Sequence, residues 1–170
     1  MIVYSNLNIG GINYLLNKMQ HFKTLSSYLD YLGLPRPEHP MLSVCHSKGD
    51  GFLPCPRESS PPITNDCYSI GFKKNVKGSL NYGRTKYDFT NGALIFISPR
   101  QVLQWDNSIV FEQKGFSINF HEDFLKGTEL AHQIKKYGFF SYSTNEALHL
   151  SPKEEKQIDS IIENIEIEYQ

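Results

Sequence analysis

Cysteine is scarce in this 170-residue chain, which holds only Cys45, Cys55 and Cys67. An odd number of thiols with no secretory leader argues against a disulfide-stapled scaffold and for a reduced, cytoplasmic setting. Apolar runs are short as well. None approaches the ~20 residues that a bilayer-spanning helix needs, so no membrane span is expected. Charge of one sign is not in excess: Lys and Arg total 17 against 18 Asp and Glu. That balance speaks against these residues gripping a nucleic acid, whose non-specific affinity rests on clustered Lys and Arg. What is plentiful is apolar material. Hydrophobic residues make up 39% and aromatics 13%, enough for the core of one compact domain and too much for a disordered chain.

Along the chain the texture changes several times. Met1–Lys18 is rich in Asn and Gly and reads as a flexible arm or an artefact of the start. From 19 to 62 comes an N-terminal helix and a proline-rich loop. Within it Leu25, Tyr28, Leu29 and Leu32 recur at helical spacing, Thr24, Ser26 or Ser27 can cap, and Gly33 with Pro35 ends the helix. Met41–Cys45 reads as a short strand. Four prolines and two glycines between Gly49 and Pro62 leave room only for a loop.

Residues 63–121 carry the expected strands: Cys67–Lys73, Ser79–Tyr82, Thr85–Phe89, Ala93–Ser98, Val102–Trp105 and Gly115–Phe120. Short aromatic and β-branched runs punctuated by Gly, Asn and Pro predict an antiparallel sandwich or barrel, with Asn91-Gly92 the strongest turn signal. Short helices are expected over 122–150, at His121–Leu125 and Glu129–Tyr137, and a long one at Pro152–Tyr169 within 151–170. The fold class expected is therefore mainly β: an antiparallel barrel with a short N-terminal helix and a C-terminal helical extension.

Helix Leu25–Leu32 is followed, in this order, by the segments GLPRPEHPMLSV, GSLNYGRTKYDFTNGALIFISPRQVLQW, FSINFHEDFL and YGFFSYSTNEALHLSPKEEKQI, in a likeness that runs from about Met19 to the end. Together they resemble the N-terminal sensory region of AraC-family bacterial transcription regulators, of the kind typical of Bacteroidetes-like bacteria. The most specific part is Tyr87-Asp88-Phe89, a turn, an apolar strand, Ser98-Pro99-Arg100-Gln101, and Phe120-His121-Glu122-Asp123-Phe124-Leu125. The resemblance implies a cupin-like barrel of jelly-roll type that senses a small effector, a dimerising helix, and two helix-turn-helix motifs that bind DNA. The sequence stops at Gln170, before any such motif, so DNA binding is implied only for a segment beyond it.

Many cupins are metalloenzymes that use a His-x-His pair, a Glu and a third His. Here the histidines are His21, His39, His46, His121, His132 and His149. No two are separated by one residue, and none lies within 67–120. Cys45, His46, Cys55 and Cys67 match no tight zinc spacing. No nucleophile elbow, phosphate loop or dinucleotide glycine pattern is present. A non-catalytic domain without metal or cofactor is the expectation. The rivals are a metal-independent cupin enzyme acting on a small molecule and a purely structural dimerisation domain.

Candidate effector contacts are Tyr68, Phe72, Tyr82, Trp105 and Phe116, whose rings offer an aromatic lining; the same rings serve equally well as plain core. Period two does not say which strand face is interior when both are apolar. Arg84 and Lys86 stand by a turn, where such charges are usually solvated. His121 and Asp123 either meet an effector or start a helix. In the last helix Ile158, Ile161, Ile162 and Ile165 form one stripe, extended by Ile167 and Tyr169. That stripe either covers the barrel or pairs two chains. The resemblance favours a homodimer through Ile158, Ile161, Ile162, Ile165 and Tyr169.

Overall fold

The computed structural model describes residues 19–48, 61–74, 79–82, 85–88, 93–105, 114–140 and 148–170. The N-terminal arm, the loop 49–60 with Cys55, Arg84, and the Asn91-Gly92 turn lie outside them, as do the side chains of Tyr82, Lys86 and Trp105. The described residues form nine strands in two antiparallel-rich sheets with helices, a mixed α/β fold.

In chain order the elements are β1 Gln20–Phe22, α1 Leu25–Leu32, β2 Leu42–Lys48, β3 Ile63–Asn65, β4 Cys67–Lys74, β5 Ser79–Tyr82, β6 Thr85–Asp88, β7 Ala93–Ile97, β8 Leu103–Trp105 and β9 Lys114–His121. After β9 come a 3₁₀ turn at Glu122–Leu125, α2 Leu130–Gln133, further 3₁₀ turns at Ile134–Lys136 and Gly138–Phe140, and α3 Pro152–Tyr169. One sheet runs β1-β3-β8-β5-β6 and the other β2-β9-β4-β7. The β1–β3 pair is parallel.

The expected barrel is corrected at one point. Among the described residues no strand pairing joins the edges of the two sheets into a closed cylinder. Two bends link the sheets instead. β3 passes into β4 at Asp66, and β7 passes into β8 through 98–102, so an antiparallel ribbon crosses from one sheet to the other. Strands that change sheets at such corners make two packed layers.

Local chemistry explains the helix ends. Thr24 is extended and its hydroxyl accepts the Ser27 N–H at 3.3 Å, while Gly33, at φ +68°, ends α1 in the left-handed region. Ser151 and Glu154 form a reciprocal capping box at the start of α3, with Pro152 in its first turn. The Ser151 hydroxyl and amide hold the Glu154 carboxyl below its ordinary pKa.

The four-stranded sheet has two unlike faces. On one, Tyr68, Ile70 and Phe72 of β4 stand beside Phe116, Ile118 and Phe120 of β9 and beside Leu94 and Phe96 of β7. Helical segments cover this face. Leu125, Ile134 and Phe140 pack on Tyr68 and Phe120. Ile162, flanked by Ile158 and Ile165, packs on Phe72, Leu94 and Phe116. At the end of α3 the Tyr169 hydroxyl donates to the Leu42 carbonyl at 3.1 Å and accepts the Glu38 N–H at 3.0 Å. His46 Nδ1 meets Glu166 Oε2 at 2.9 Å, tying β2 to the helix. The stripe expected to pair two chains thus seats much of itself on its own sheet. Ile161, about half exposed, and Ile167 remain outside.

Candidate functional site

The opposite face of the four-stranded sheet is built from small residues. In register across β2, β9, β4 and β7 run Ser43, Asn119, Ser69 and Ile97, and in the next row Cys45, Ser117, Gly71 and Ile95. Ser43 is 2% exposed, Asn119 3% and Ser69 7%. On these rows Ser43, Asn119, Ser69, Gly71, Ile95 and Ile97 are buried and Cys45 and Ser117 half-buried, and α1 packs on Cys67 in the adjoining row. With α3 and the 122–140 segment on the opposite face, this face is the inner one.

Polar atoms here are joined sparsely. The Ser69 hydroxyl donates to Asn119 Oδ1 at 2.7 Å. Asn119 Nδ2 donates to the Ser117 hydroxyl at 3.4 Å, and Ser43 Oγ lies 3.6 Å from Cys45 Sγ. Among the described residues, a buried carboxamide, two buried hydroxyls and the half-buried Ser117 hydroxyl thus share two hydrogen bonds and one weak sulfur contact. Gly71 adds space: among the described residues a Cβ placed there meets only the Phe116 carbonyl oxygen, at 3.6 Å. The surface offers donors and acceptors without formal charge, which suits a neutral polar molecule over an ion.

A charged clasp stands at the bends. The Arg100 guanidinium meets Glu122 at 2.6 Å and Asp66 at 3.6 Å, and its backbone N–H donates to the Asn65 carbonyl at 2.6 Å. Arg100 holds φ +65°, a left-handed conformation that a non-glycine residue keeps only when its surroundings fix it. The Glu122 hydrogen bond raises the Arg100 pKa. His21 joins from β1, with Nδ1 2.8 Å from Thr64 Oγ1 and Nε2 3.4 Å from Asp66. Ser98 Oγ donates to the Phe140 carbonyl. The His121 side chain accepts the Asp123 N–H at 3.2 Å, so the helix-starting role describes it. Lys126 in turn holds the Asp123 carboxyl below its ordinary pKa.

Of the five aromatic candidates, three share one face of the four-stranded sheet and two stand on strands of the other sheet. Tyr68, Phe72 and Phe116 are buried beneath the helices, away from the inner face. Tyr68 stacks on Phe120 at 5.3 Å and meets Phe140 edge-on at 5.1 Å. Burial, reinforced by Glu122, raises its hydroxyl pKa. Tyr82 and Trp105 belong to the other sheet, in register with Leu103 and Leu80. The reason is size: large rings need broad apolar cover, and the helical layer supplies it. Ser43, Ser69, Ser117 and Asn119 escape a sequence reading because alternating polar positions normally mark a solvated face.

No group of three or more His, Cys, Asp or Glu among the described residues is arranged to hold a metal ion. No described helix is long and apolar enough to cross a membrane. Comparison with protein families, curated proteins and solved structures finds no match to this chain.

Cys67 packs on Leu25 and Leu29 at the edge of this face. Burial first, then Asp66 and Glu122, push its thiol up to about 12 from 9.0. It is inert at neutral pH, since the thiolate is the nucleophile. Alkylation with peptide mapping is expected to label Cys45 before Cys67, and Cys67 only on unfolding; comparable native rates of these two contradict the placement. The sign for stability follows. Between pH 9.0 and about 12 the unfolded thiol ionises while the folded one does not, so this contribution is lost as pH rises.

Proposed function

We propose that this chain is the effector-sensing and dimerisation part of an AraC-type transcription regulator, with a cupin-like, jelly-roll-type pair of sheets as the container. The observation that carries the reading is the buried Ser43–Asn119–Ser69 row on the inner face. A purely structural sandwich fills its interior with interdigitating apolar side chains. Among the described residues of this face, hydroxyls, a carboxamide and the open position at Gly71 stand beside Ile95 and Ile97, while Tyr68, Phe72 and Phe116 lie under the helices.

Two of the motifs behind the resemblance meet. Ser98–Gln101 and Phe120–Leu125 meet through the Arg100–Glu122 pair and fix the corner between the layers.

β9 is the transmitting element. It carries Ser117 and Asn119 inward, and Phe116, Ile118 and Phe120 outward beneath the helical layer. A small neutral polar effector that binds one setting of β9 better than another changes the seat of α3. Through a homodimer contact of α3, and helix-turn-helix motifs beyond Gln170, that shift reaches DNA in the cytoplasm. The chain acts by holding its effector, without catalysis.

The test is thermal unfolding against a panel of sugars, polyols, amides and small aromatics. A true effector at ~100 times its Kd adds about 2.7 kcal/mol of stability. The shift is expected to vanish in Asn119→Ala and to survive in Tyr31→Ala, whose ring packs on Phe22 of β1. A panel without any shift favours the structural dimerisation domain. Turnover of a panel compound without added metal favours the enzyme reading.

A further inference from the structure

Two strips of opposite character lie side by side on the helical layer. Both seat on the same sheet face, sharing Ile70, Phe96 and Ile118 as neighbours. One is the C-terminal half of α3. From Asp159 to Gln170 it carries Asp159, Glu163, Glu166 and Glu168 and no lysine, with Ile161 and Ile167 exposed. Beside it Leu42, Ile161, Asn164, Ile165, Glu168 and Tyr169 line an apolar groove of about 330 Å³.

The other strip spans 126–139. Residues 126–136 hold three lysines (Lys126, Lys135, Lys136) against one acid, Glu129. Lys126 is held by Asp123 at 2.8 Å, whereas Lys135 and Lys136 make no ion pair among the described residues. Next to them Leu130, Tyr137 and Phe139 are each more than two-fifths exposed. The Tyr137 and Phe139 rings stack at 5.2 Å, and Phe139 rests on Phe96 at 4.3 Å. Such preorganised rings projecting beside unpaired cations have the composition of an interface centre.

We propose that two copies of this chain pair reciprocally across this layer. The acidic half of α3 in one copy lies on the 130–139 strip of the other, and the Tyr137–Phe139 ring pair fills the groove beside Leu42. The proposal rests on the homodimer reading and specifies its surface. A two-fold axis allows it because each patch on one copy meets the different patch on the other, so the contact forms twice and closes. A parallel α3–α3 contact would instead set carboxylates against carboxylates, which costs affinity.

The experiment measures self-association of the full chain by sedimentation equilibrium. The charge reversals K135E/K136E and E163K/E168K, each alone, are expected to weaken the dimer roughly tenfold or more. An equimolar mixture is expected to restore it, because both interfaces of the mixed dimer then oppose acid to base. Raising salt is expected to weaken the wild-type dimer and the mixed dimer alike. The proposal is overturned if K135E/K136E dimerises like wild type. In that case I161D still abolishing the dimer leaves α3 pairing, and the homodimer reading, in place. A wild-type chain that stays monomeric at about 100 μM, where a micromolar contact would be saturated, sinks both.

Discussion

Phe116→Ala is expected to destabilise the chain by about 3–5 kcal/mol, the range for losing a buried aromatic ring. The ring is 2% exposed, lies 6.1 Å from Phe72, and sits beneath Ile162 in the cluster that holds α3 to the sheet. Removing it deletes transfer free energy and opens a void that α3 cannot readily close while its C-terminal turns are tied to β2 through His46–Glu166 and Tyr169–Leu42. Urea unfolding followed by far-ultraviolet circular dichroism checks this. A loss below ~1 kcal/mol, the scale of a surface change, would mean that the helix does not rest on this ring.

The second large effect is expected on the inner face. Asn119→Ala removes the acceptor of the Ser69 hydroxyl at 2.7 Å. Because Ser69 is 7% exposed, its hydroxyl is left buried without that partner, at a cost of about 1–3 kcal/mol. The double variant Ser69→Ala/Asn119→Ala removes donor and acceptor together, so it is expected to be more stable than the sum of the single losses implies. Additive losses in the same urea experiment would show that the two groups do not depend on each other. Loss of effector stabilisation accompanies the change if the inner face holds the ligand, which ties the stability measurement to the functional one.

Much of the fold is legible in the sequence where local chemistry decides it. Ser151-Pro152 with Glu154 marks the start of α3, and Pro152–Tyr169 is helical throughout. Gly33 ends α1, and Ser79–Tyr82 is a strand with the expected limits. The three-residue strands Gln20–Phe22 and Ile63–Asn65 are not legible, since their pairing partners lie far along the chain and three residues show no period. The candidate site is harder still. CYSIGF and FSINF announce two faces, but not that both are buried, and the choice of aromatics over Ser69 and Asn119 follows from expecting cavities to be lined by rings. Which face is inner depends on where α3 and the 122–140 segment return, a long-range fact absent from any window of residues.

The bends at Asp66 and 98–102 have a thermodynamic consequence. Because one ribbon threads both layers, neither sheet owns a complete set of strands, and no cut in the chain separates two halves that each keep their hydrogen bonds. The layers are expected to unfold as one cooperative unit. Their assembly waits on partners distant in sequence, which places this chain among slow folders of high contact order.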